Sequence, residues 1–134
     1  MRHLEEKIQE QIVRRYWELK HYNQLNYPFL LVSNRNENNQ GGVKGAQTGS
    51  RYKRMGRVAG EPDLSLIYKG GMAYFEVKVP SAHRTTKGVE TKTKGMSKEQ
   101  IIFYEEYIKP FDIPFAIGSS VKDFEDFIKF LPWF

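Results

Sequence analysis

Asp63, Glu76 and Lys78 are the residues of this chain whose types and spacing suit chemistry. Glu76 and Lys78 stand two apart in the run Ala73-Tyr74-Phe75-Glu76-Val77-Lys78-Val79. A strand there has a side-chain period of two, so Phe75, Val77 and Val79 share one face and Tyr74, Glu76 and Lys78 the other. An acid and an amine on one face of an apolar central strand need a reason to be there. Asp63, at the mouth of a preceding strand through Tyr68, reaches the same end of the sheet. Two carboxylates at one strand end suit a hard divalent cation, with positions left open for water and phosphate. The lysine beside them can orient an attacking water and stabilise charge on a phosphate. The chemistry implied is metal-assisted phosphodiester hydrolysis. A plain structural explanation stands beside it: Pro-Asp is common in turns, and a Glu-x-Lys pair on a half-exposed strand is commonly a solvated face.

Several elements must position these residues. Lys69-Gly70-Gly71 predicts a tight hairpin turn, because a Gly pair takes positive φ readily. Leu4 to about Tyr22 predicts a helix whose apolar face is Leu4, Ile8, Ile12, Tyr16 and Leu19. Of its three early acids, Glu5 lies nearest that face, about 40° from its centre, and Glu6 and Glu10 fall on the far side. Glu5 also suits a helix start on dipole grounds. Pro28 to Ser33 reads as a buried strand, and Asn34 to Gly49 as a polar loop. Ser97-Lys98-Glu99-Gln100 has capping-box spacing and opens a helix to about Lys109. Gln100 joins an apolar face of Ile101, Tyr104, Tyr107 and Ile108, where an inward glutamine needs partners. Pro110 to Pro114 is a turn, and Phe115 to Gly118 a last buried strand. Ser120-Val121-Lys122-Asp123 is a second capping box, opening a helix with Val121, Phe124, Phe127, Ile128 and Leu131 on one face. Phe130, Trp133 and Phe134 lie off that face or beyond its end, as either a partner surface or aromatics folded back on the core.

Pro62-Asp63 followed by Glu76-Val77-Lys78 resembles the PD-(D/E)xK nuclease signature. The wider pattern, Gly60-Glu61-Pro62-Asp63-Leu64, then a hairpin into Glu76-Val77-Lys78, then Ser97-Lys98-Glu99-Gln100, resembles the VRR-NUC (virus-type replication-repair nuclease) branch. Glu61 departs from the small or apolar residue expected before Pro-Asp and is not counted as a ligand. The resemblance implies a restriction-endonuclease-like core, αβββαβ, within an α/β fold. It implies Mg²⁺ or Mn²⁺ held by Asp63, Glu76 and the Val77 carbonyl. Glu5, in Glu5-Glu6-Lys7-Ile8-Gln9, matches a first-helix glutamate that completes the site. Lys78 is then the catalytic lysine, and Gln100 positions the lysine or the substrate. Short stand-alone members of the family, phage or bacterial, act as homodimers on branched DNA, including four-way (Holliday) junctions.

The chain's 134 residues suit one domain spanning 1–134, with a mixed sheet flanked by helices. A net charge of +5 favours a polyanionic partner. Two runs carry much of it. Gly41 to Gly60 holds Lys44, Arg51, Lys53, Arg54 and Arg57 with no acid, and Pro80 to Gly95 holds His83, Arg84, Lys87, Lys92 and Lys94 against Glu90. Arg51, Lys53, Arg54, Arg57, Arg84, Lys87, Lys92 and Lys94 are expected to contact DNA phosphates, although such runs are also common as solvated faces. The absence of cysteine excludes disulfides and thiolate metal sites and agrees with a cytoplasmic protein of a bacterium or a phage-infected cell. No apolar run has membrane-spanning length. The expected activity is a metal-dependent endonuclease on branched DNA, a junction resolvase. The alternatives are a flap- or duplex-cutting repair or restriction nuclease, and a non-cleaving DNA-binding module.

Overall fold

The strand that carries Glu76 is central, and both of its faces are covered. The computed structural model describes residues 2–22, 28–34, 58–80 and 96–131. In chain order these hold α1 (Arg2–His21), β1 (Leu30–Ser33), β2 (Leu64–Tyr68), β3 (Gly71–Val77), α2 (Lys98–Phe103), β4 (Phe115–Gly118) and α3 (Val121–Lys129), and α2 runs on into a π-helical stretch over Tyr104–Ile108. The sheet order is β1-β2-β3-β4. β1 and β3 both run antiparallel to β2, and β4 runs parallel to β3. The parallel pair requires a crossover, and α2 lies on it. The fold is therefore α/β, with a four-stranded mixed sheet flanked by helices.

One sheet face packs on α1 and α3. Ile8, Ile12 and Tyr16 of α1 and Phe124 of α3 bury against Leu64, Leu66, Ala73, Phe75 and Val77. Full burial of a side chain such as Phe75 is worth about 3 kcal/mol. The Tyr16 hydroxyl donates to the Phe29 carbonyl at 2.7 Å, and Arg15 Nε meets Glu125 Oε1 at 2.6 Å, tying α1 to the start of β1 and to α3. Leu4 is exposed and Glu6 half-buried, so the buried face of α1 begins one turn later than its apolar spacing suggests. The other sheet face carries Tyr74, packed with Phe103 and Ile108 of the α2 stretch and with Met72, Tyr104 and Phe115.

Three expectations are corrected. β1 is an edge strand with Leu30 exposed, because only β2 flanks it among the described residues. The inward residues after Ser97 are Gln100, Phe103, Tyr104 and Ile108, while Ile101 and Tyr107 face solvent. Gln100, Phe103 and Tyr104 follow ordinary helical spacing, which leaves Ile101 outside; beyond them the Lys109 amide donates to the Tyr104 carbonyl at 2.9 Å, a five-residue step that carries the apolar face from Phe103 to Ile108 past Tyr107. At the hairpin only Lys69 and Gly70 lie outside the ladder. Gly70 alone takes positive φ, 85°, and Gly71 pairs with Tyr68 as the first residue of β3. Asp112 adopts φ 53° in the turn before β4, a backbone that aspartate tolerates.

Ser120 caps α3, accepting from the Asp123 amide at 3.1 Å. Asp123 reaches back to the Ser119 amide rather than to the amide of Ser120, so the reciprocal bond is displaced by one residue. Val121, Phe124, Phe127, Ile128 and Leu131 join the core, and Phe130 is 86% exposed. Trp133 and Phe134 lie outside the described residues.

Candidate metal centre

Pro62 is where the antiparallel ladder between β2 and β3 stops. It has no amide hydrogen, and the last paired residues are Leu64 and Phe75. One step beyond, the register sets Asp63 opposite Glu76, and on the other side it sets Asn34 opposite Asp63. Side chains take over the hydrogen bonding there. The Asp63 amide donates to Glu76 Oε1 at 3.1 Å, and the Val77 amide donates to Asp63 Oδ2 at 2.9 Å. Each carboxylate is thus fixed by backbone from the other strand.

β3's period of two puts Lys78 on the same face as Glu76, and the Lys78 amide continues the parallel ladder by donating to the Gly118 carbonyl at 3.0 Å. Lys78 Nζ lies 3.8 Å from Glu76 Oε2. Gln100 joins the two. Its Nε2 donates to Glu76 Oε2, and its Oε1 accepts from Lys78 Nζ at 3.2 Å and from the Ser97 amide at 2.8 Å. The Gln100 amide in turn donates to Ser97 Oγ at 3.2 Å. Capping and site positioning, which compete as explanations of Gln100, are here one bonding network. The start of α2 is set close by Gly60, which has φ +87° and whose absent Cβ would stand 2.1 Å from the Glu99 carbonyl oxygen.

Glu76 is 1% exposed. Burial above all, then the facing charge of Asp63 and a hydrogen bond with its side chain, push the Glu76 carboxyl up from 4.5 to about 9. The Lys78 charge and the Asp63 amide act the other way and are outweighed. Two acids directly opposite each other across a strand pair repel, and a buried carboxylate is costly without a cation. A small divalent ion relieves both. Mg²⁺ needs only one or two carboxylates, because it keeps waters and takes substrate oxygens for the remainder. The hard oxygen donors Asp63 and Glu76 fit such an ion, and Val77 stands beside them with its side chain in the core.

Among the described residues Glu5 does not make a third carboxylate of a metal-holding group with this pair. α1 packs on the opposite sheet face, and Glu5 is half-buried one turn before Gln9, whose Nε2 donates to Ser33 Oγ at 3.0 Å. Among the described residues no three of His, Cys, Asp and Glu come close enough to hold a metal ion. Arg51, Lys53, Arg54, Arg57, Arg84, Lys87, Lys92 and Lys94, with Lys44 and His83, lie outside the described residues. Asn34 is a site neighbour that periodicity and motif spacing do not reveal. Its amide donates to the Asp63 carbonyl at 2.7 Å, and its side chain donates to the Pro62 carbonyl at 3.1 Å and to Ser65 Oγ. Only the β1–β2 register could have found it.

No protein family model, no curated protein and no solved structure matches this chain.

Proposed function

We propose that the chain is a divalent-metal-dependent nuclease with a restriction-endonuclease-like core, acting on branched DNA as a homodimeric junction resolvase. One observation carries the reading. Asp63 and Glu76 face each other where the strands part, with Lys78 on the same face and Gln100 bonded to both Glu76 and Lys78. The order α, β, β, β, α, β of the first six elements among the described residues supports the core assignment. The net charge of +5 supports a nucleic-acid substrate.

Asp63 and Glu76 would hold Mg²⁺ or Mn²⁺, with the Val77 carbonyl as a further oxygen donor. The ion supplies Lewis acidity toward a phosphate and lowers the pKa of a bound water. Lys78 orients the attacking water and stabilises negative charge gathering on the phosphate oxygens. Gln100 keeps the Lys78 ammonium at the site, since its Oε1 accepts from Nζ while its Nε2 holds Glu76. A two-fold dimer suits paired nicks in a four-way junction.

End-labelled four-way junction, 5′ flap and linear duplex, each with Mg²⁺, Mn²⁺ or chelator, test the reading. Paired nicks confined to the junction and lost with chelator are expected. Cutting of flap or duplex alone would retain the nuclease and remove the substrate. Tight junction binding with no cutting anywhere would replace the enzyme with a binding module.

A further inference from the structure

We infer that Asn34 is a positioning residue for the Asp63–Glu76 pair, a role that rests on reading the pair as the nuclease's metal centre. The β1–β2 pairs run from Leu30 with Ile67 to Ser33 with Leu64, and Asn34 extends that ladder one step, donating its amide to the Asp63 carbonyl at 2.7 Å. That bond is made just where β2 and β3 cease to pair. Asp63 lies one residue beyond the last β2–β3 pair, and its main chain is held from the β1 side by Asn34.

The side chain strengthens the hold. Nδ2 has two hydrogens and meets two acceptors, the Pro62 carbonyl at 3.1 Å and Ser65 Oγ. These acceptors flank Asp63 in sequence, so a single side chain brackets the residue. Ser65 is buried, and so is Pro62. Fixing the Asp63 backbone fixes two things at once. The Asp63 amide is what holds Glu76 Oε1, and the Asp63 side chain is what accepts from the Val77 amide. Asn34 acts through Asp63 on both carboxylates without needing contact with metal or substrate. Alanine keeps the main-chain bond and removes the bracket. Serine keeps a short polar group that cannot span both acceptors.

Amide hydrogen exchange by NMR on the native chain and on Asn34→Ala and Asn34→Ser, without metal, tests this. The Asp63 and Val77 amides should exchange about tenfold faster or more in both variants, the effect of losing roughly one net hydrogen bond. The Lys78 and Phe124 amides, bonded to the Gly118 and Ser120 carbonyls, should keep their protection. In junction cleavage with Mg²⁺, kcat should fall about tenfold or more with KM little changed, as for a misplaced catalytic group. Unchanged protection at Asp63 and Val77 in Asn34→Ser would overturn the role, as would equal loss at all four amides in both variants. The exchange result decides the role of Asn34 even if the native chain cuts no DNA. Absence of cutting by the native chain would instead count against the nuclease reading.

Discussion

Replacing Glu76 by glutamine should stabilise the protein while removing the metal-dependent cleavage proposed for it. Burial beside Asp63 raises the Glu76 carboxyl from 4.5 to about 9. Below about 4.5 the group is protonated both folded and unfolded. Between 4.5 and about 9 the unfolded chain releases the proton and the folded chain keeps it. The folded state then binds more protons, so stability falls as pH rises across that window. From 4.5 to pH 7 the fall is on the order of 3 kcal/mol. Glu76→Gln is neutral throughout and escapes it, but mismatches one bond, to the Asp63 amide or to Gln100, at about 1 kcal/mol. The net gain is about 2 kcal/mol at pH 7, or roughly 6 °C in Tm. It should vanish at about pH 5 and reverse to a loss of about 1 kcal/mol by about pH 4.5, where only the mismatched bond is left. Urea unfolding of both proteins in chelator, across about pH 4.5 to 8, reads the difference directly. Parallel stability curves, or a glutamine variant that is less stable at pH 7, would mean that Glu76 is not held protonated by its burial.

Other outcomes follow from the same geometry. Lys78→Ala should lower cleavage about 10²-fold or more while Mn²⁺ binding, followed by the EPR signal of free ion, persists. Gly60→Ala combines a positive-φ backbone with a clash against the Glu99 carbonyl. It should cost about 2 kcal/mol or more, and crystallography should show the first turn of α2 displaced. Ser97→Ala removes the cap of α2 and should cost about 1 kcal/mol in chemical denaturation. Saturating Mg²⁺ should raise Tm more as pH approaches about 9, because ion and proton compete for Glu76.

The period of two through Tyr74-Phe75-Glu76-Val77-Lys78 is legible because both faces of β3 are covered, and each substitution of face would show. The bounds of β4 and the apolar face of α3 are legible for a similar reason: short apolar runs sit between clear turn and cap signals. The π-helical stretch is not legible. Its five-residue step is set by packing of Phe103 and Ile108 on Tyr74, and no local propensity marks it. β1 looks buried by composition because Leu30-Leu31-Val32 says nothing about which strands flank it. At the site, motif spacing brings Asp63, Glu76, Lys78 and Gln100 together. Glu5 has helical spacing in its favour, yet spacing does not tell which sheet face α1 covers.

Single-turnover cleavage of a labelled four-way junction by the native chain and by Glu76→Gln, with Mg²⁺ and with chelator, asks whether Asp63 and Glu76 hold a catalytic metal ion. Mg²⁺-dependent cutting by the native chain, and none by the glutamine variant despite its greater stability, is the predicted result. A variant that cuts as fast as the native chain, or a folded native chain that cuts nothing with Mg²⁺ or Mn²⁺, would contradict it.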